Sequence, residues 1–172
     1  MKRINTSLCL LVAACAAAPA SAAPAALLNK SITVSYATTI PGKKADGTPV
    51  SGSRIAMRTI YVSSAGRLFG RVARRDGNAA ETKEAGPGEA GNNLRFAGDK
   101  IIGVMKFSSG AAQMTISVDP SGQSCSASIV AGRDNGHPIR WKGVDGTMRE
   151  ATGPVSFSNI SCSIASGNAF GG

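Results

Sequence analysis

Histidine occurs once in this chain, as His137 between Gly136 and Pro138. A lone histidine in a turn-forming context leaves a Ser-His-Asp or Cys-His centre without its base, and a zinc site without clustered ligands. The sequence contains no GxSxG elbow and no HExxH helix. Asp119, Asp134 and Asp145 stand beside Pro, Asn and Gly respectively, where acidic residues shape turns. Catalysis, a metal and any other cofactor are therefore not expected.

Leucine is also scarce: beyond the first 22 residues only Leu27, Leu28, Leu68 and Leu94 remain, while Gly, Ser, Thr, Val and Ile are plentiful. No apolar stripe recurs at helical spacing, so strands joined by turns are expected in place of helices. Long apolar runs are missing too. The run from Leu8 to Ala14 falls far short of the roughly 20 residues that a membrane-spanning helix needs. Aromatic residues make up 5%, too few to supply the stacking platforms of a nucleic-acid binder.

Acidic residues number 10 against 19 basic ones, a net charge of +9. Two of the basic residues, Lys2 and Arg3, precede the short apolar run, and Ala20-Ser21-Ala22 follows it as a small-residue cleavage site. This is the pattern of a bacterial export signal over residues 1–22. Val12-Ala13-Ala14-Cys15 reads alternatively as a lipobox, which would acylate Cys15 and tether the protein to the outer membrane. The expected location is accordingly periplasmic or secreted, with a lipoprotein as the alternative. Cleavage after Ala22 leaves two cysteines, Cys125 and Cys162, each in a Ser-Cys-Ser step. In an oxidising compartment two cysteines allow one pairing, and one disulfide is expected.

The remainder divides into a linker at 23–30 and one all-β domain at 31–172. Eight short strands are expected, at 31–36, 54–62, 67–75, 93–97, 100–107, 113–119, 125–131 and 155–164, with Gly, Pro, Asn or Asp between them. That spacing fits an antiparallel β-barrel or β-sandwich. In the first strand Ile32, Val34 and Tyr36 share one face. Residues 76–91 lack apolar periodicity and read as a long mobile loop. The formal GxGxxG at 86–91 lacks the following helix of a dinucleotide site.

One constellation stands out, Arg54 to Arg75. A tight turn at Ser64-Ala65 would set Arg58 opposite Arg71 and Arg54 opposite Arg75. Arg54, Arg58, Arg67, Arg71 and Arg75 would then share one face, with Ile55, Met57, Tyr61, Leu68 and Val72 on the core side. Guanidinium groups grip phosphate or carboxylate bidentately, which makes the ladder a candidate anion-binding strip. The structural alternative is a solvated face met by carboxylates from Glu81, Glu84 and Glu89.

With Leu27 to Val34, Ile60 to Arg67, and the closing Ser161-Cys162-Ser163 and Gly167 to Phe170 in view, the chain resembles a group of small exported β-proteins of alphaproteobacteria. The resemblance implies export, a single domain and paired cysteines. That group has no assigned activity, and the resemblance carries over no catalytic residue. The function expected is a binding module for an anionic or amphipathic envelope ligand such as anionic lipid or lipopolysaccharide. The alternative is a structural, interaction or inhibitor protein of the envelope.

Overall fold

The computed structural model describes residues 22–76, 79–85, 93–107, 110–134, 139–142 and 145–170. These form eleven strands: β1 (Lys30–Lys44), β2 (Pro49–Val62), β3 (Leu68–Asp76), β4 (Ala79–Ala85), β5 (Leu94–Ala97), β6 (Lys100–Phe107), β7 (Gly110–Val118), β8 (Cys125–Asp134), β9 (Arg140–Lys142), β10 (Met148–Ala151) and β11 (Ser156–Ser166). The protein is all-β, and no described helix is long and apolar enough to cross a membrane. All eight expected strands are present. The additions are β9, β10 and β4, the last lying inside the segment read as a loop.

The strands build two antiparallel sheets. One runs β4-β3-β2-β1-β10-β9, with β11 also paired to β1, and the other runs β5-β6-β7-β8. Hairpins generate both, while β9, β10 and β11 return to the free edge of β1. That edge is shared: β11 pairs from Lys30 to Thr39 and β10 from Gly42 to Lys44. Pro41, which has no N–H to give a ladder, falls at the junction. The β1–β11 register shifts between Ser35 and Ala37, and nearby Asn159 takes a φ of 52°, which asparagine tolerates better than most residues.

The core lies between the sheets. Ile32, Val34, Ile60 and Val62 of the larger sheet meet Ile101, Met114 and Ile116 of the smaller, all fully buried. Period-two alternation explains this for β1, where Ile32, Val34 and Tyr36 share the inner face as expected. Residues 23–30 are more than a linker: a single 3-10 turn at Ala25–Leu27 seats Leu27 in the core with 1% exposure. A Cβ added to Gly122 would stand 2.5 Å from the Ala26 carbonyl, so this segment closes tightly over the β7–β8 turn.

Cys125 and Cys162 form a disulfide with Cα atoms 5.6 Å apart. The bond joins β8 of one sheet to β11 of the other, two strands with no ladder between them, so it ties the sheets together rather than two neighbours of a meander. Its contribution, for a sequence separation of 37, is about 4 kcal/mol in the chain-entropy model.

The larger sheet curls at its β9 end. Trp141 of β9 lies against Gly42 of β1 and Gly52 of β2, its Cζ2 2.9 Å from where a Cβ of Gly52 would stand. In a flat sheet β9 and β2 would be three strand spacings apart, about 14 Å, farther than an indole reaches. The two glycines make the floor on which the ring rests, and the curl brings the ring to it.

Candidate functional site

The arginine hairpin turns differently from the sequence expectation. Ser63 N–H donates to the Arg67 carbonyl at 2.9 Å, Gly66 N–H donates to the Ser63 carbonyl, and Gly66 has a φ of 73°. This is a three-residue loop with a left-handed glycine in its last position. Facing residues therefore slip by one: Arg58 meets Val72, Thr59 meets Arg71, and Ile55 meets Arg75. A one-residue slip moves every side chain of one strand to the other face. The single-face strip of five arginines does not form.

The hairpin instead sorts its arginines onto two faces. Arg54 and Arg58 share the inner face with Ile60 and Val62, since β1 sets Thr38 opposite Arg54, Val34 opposite Arg58 and Ile32 opposite Ile60. The core side of β3, Leu68 and Val72, is as expected. On β2 it is reversed, with Ile55 and Met57 exposed on the outer face. Arg71 and Arg75 point outward, and Arg67 is exposed at the turn.

Arg71 holds the C-terminal segment. Its Nη2 donates to the Phe170 carbonyl at 2.6 Å, and its guanidinium lies 4.8 Å from the centroid of the Phe170 ring. Tyr61 meets Phe170 edge-on and packs against Phe69. The Ser31 hydroxyl donates to the Gly167 carbonyl and accepts from Ala169 N–H. Opposite Arg71 on its other side, the register places Glu84, and Glu81 stands opposite Arg74. Glu81 and Glu84 thus lie on strand β4 paired beside β3, not on a loop laid over a single arginine face, and Glu89 lies outside the described residues.

Arg58 belongs to the interior. Its Nε and Nη1 are shielded from solvent, and Nη1 lies 3.4 Å from where a Cβ of Gly103 would stand, on the facing sheet. A Gly in β6 leaves room for a guanidinium that crosses from the larger sheet. Desolvating such a group costs several kcal/mol unless an anionic or polar partner compensates. Tyr36, opposite Ala56 and so between Arg54 and Arg58, donates its hydroxyl to Met105 Sδ at 3.2 Å and meets Phe157 edge-on. Phe157 flanks Thr38 on one side and Arg54 flanks it on the other.

Rows of the inner face therefore change character along β1 and β2. The Ile164-Ile32-Ile60 row is apolar, the Cys162-Val34-Arg58 row carries one cation, and the Phe157-Thr38-Arg54 row carries another beside a hydroxyl. Beyond it lie Ile40 and Gly52, then the indole of Trp141. At the tip, Asp145 pairs with Lys44 and Arg149 at 3.2 Å each. The Thr147 hydroxyl and backbone N–H, with smaller help from Lys44 and Arg149, hold the Asp145 carboxyl far below the ordinary carboxylate range.

Sequence reasoning missed Tyr36, Thr38 and Trp141 as neighbours of the arginines. The available signal was a pair of mid-strand glycines, Gly42 and Gly52, with a single tryptophan in the chain to cover them. His137, the GxGxxG segment and Cys15 lie outside the described residues. No protein-family model matches the chain, and no curated protein matches it.

Proposed function

We propose that this protein is a non-enzymatic binding module of the bacterial cell envelope that takes an anionic ligand at Arg54 and Arg58. The observation that carries the reading is that two arginines of one strand share the face of the hydrophobic core. A sheet that used its arginines only for solubility would turn all of them to water. The excess of basic residues favours attraction of polyanions and anionic lipid, both abundant in an envelope. The character of the first 22 residues supports export, or tethering through Cys15, as part of this reading.

The test is retention on immobilised heparin or lipopolysaccharide at low salt. Arg54→Ser with Arg58→Ser should elute much earlier than Arg67→Ser with Arg75→Ser, which removes the same charge from exposed outer positions. Equal losses from the two variants would show that net charge alone drives retention and would sink the reading. A second reading, protein interaction through the outer face, is favoured by Ile55 and Met57, 60% and 43% exposed on one strand. Capture of a defined partner that survives Ile55→Asp with Met57→Asp would remove it.

A further inference from the structure

We propose that the ligand held at Arg54 and Arg58 is a single-chain amphipath with one anionic head, and that Trp141 is the wall against which its apolar body lies. The inference rests on the binding reading above and names its ligand class. Along the inner face of β2, Arg58, Arg54 and Gly52 occur in that order at even positions, all facing the same way. Gly52 has no side chain, and the place of one is filled by the indole, whose Nε1 lies 3.1 Å from the Cβ position. The nearest surface to Arg54 along its own strand is therefore an aromatic ring, one side chain away.

The curl of the sheet delivers this ring from β9, three strands distant in the ladder. Two glycines in strand interiors each cost about 0.5–1 kcal/mol relative to alanine, so the arrangement is not free. Arg54, Arg58 and Trp141 are each partly exposed, while Arg58 Nε and Nη1 and the Tyr36 side chain are shielded from solvent. A ligand approaching from the Trp141 end meets an aromatic wall and a first guanidinium, with the second beyond. Ile40, between Trp141 and Thr38 on β1, extends the apolar wall. A multivalent polyanion has no use for such a wall. A carboxylate or phosphate monoester on an acyl chain uses both parts, the head on the guanidiniums and the chain on the indole.

Trp141 is the only tryptophan, so its emission reports the site directly. The full chain is titrated with dodecanoate and dodecyl phosphate below their micellar concentrations, and with dodecyl maltoside and inorganic phosphate. The expected result is a saturable emission shift with one or both anionic amphipaths, the stronger identifying the head group, and none with maltoside or phosphate. In Arg54→Ser the dissociation constant should rise about thirtyfold. Arg58→Met, which keeps much of the side-chain volume, repeats the test at the deeper position if Arg58→Ser does not fold.

An equal response to dodecyl maltoside, or no response to either anionic amphipath, would overturn the proposal. If the Arg54/Arg58 variant still loses heparin retention against its equal-charge control, the anion site stands and only the ligand class has failed. If neither difference appears, the binding reading fails with it.

Discussion

Arg58 and Arg71 come from the two arms of one hairpin and meet opposite sides of the same sheet. Arg71, on the outer face, grips the C-terminal segment through a carbonyl and a ring, and with Tyr61, Phe69 and Ser31 it makes a dock that fastens the chain end. Arg58, on the inner face, extends toward Gly103 across the core, in a row with Cys162 and Val34. The outer arginine has a structural task, fastening the chain end. The inner pair lies beside a hydroxyl, aromatic rings and an indole that the packing of a small core does not by itself require. The difference teaches that one extra turn residue, Gly66, decides which arginines face the C-terminal segment and which face the core.

The largest test of that contrast removes the disulfide. Cys125→Ser with Cys162→Ser should lower unfolding stability by about 4 kcal/mol, read from denaturant midpoints without reductant. Cys162 lies in the row of Arg58, so hydrogen exchange should quicken in β8 and β11 while the amide of Ala169, bonded to Ser31, stays protected. Loss of protection at Ala169 to the same degree would mean that inner and outer faces act as one cooperative unit.

Smaller and confined to the outer face is Arg71→Ala. It removes a charged hydrogen bond and a cation–π contact, together about 1–3 kcal/mol at a half-buried site. The C-terminal residues should become sensitive to carboxypeptidase, while anion retention drops no further than in a variant that loses one exposed arginine. A dock that stays protease-resistant without Arg71 would assign the fastening to Ser31 and Tyr61 instead.

Much of this architecture was legible in the sequence, for identifiable reasons. In β1 apolar and polar residues alternate cleanly, so Ile32, Val34 and Tyr36 declare their face. In β2 both alternate sets contain apolar residues, Ile55, Met57 and Tyr61 against Ala56, Ile60 and Val62, so the pattern fits either face. Only the ladder to β1 and the length of the turn decide between them. The disulfide followed from counting, but its position between sheets depends on strand order, which no local pattern encodes. The β4 segment, AAETKEA, has no apolar periodicity because, among the described residues, it pairs on one side only, as a charged edge strand does. Trp141 was invisible as a site residue because its place on β2 is set by the curl of three intervening steps in the sheet.

The smallest effect lies at the tip, away from both arginines. Asp145 accepts from the Thr147 hydroxyl at 2.8 Å and from its backbone N–H at 3.1 Å, and pairs with Lys44 and Arg149. These contacts favour the carboxylate and hold its folded-state pKa below the ordinary 3.8. A group depressed in this way contributes its stability fully above the unfolded value and loses it as pH falls through the interval below. Asp119, lowered first by the Ser121 hydroxyl and then by the backbone of Ser124, acts in the same sense at the opposite end of the molecule. The melting temperature should therefore fall as pH drops below about 4, since unfolded carboxylates titrate near there. Asp145→Asn should flatten part of that fall, leaving the shares due to Asp119 and to Asp46, whose carboxyl the Thr48 backbone N–H lowers in the same sense. Because none of these carboxylates is buried, the change is expected to be slight, and added salt should reduce the Lys44 and Arg149 share but not the hydrogen bonds from Thr147. A pH profile identical in Asp145→Asn and the parent would show that the tip adds nothing to acid stability.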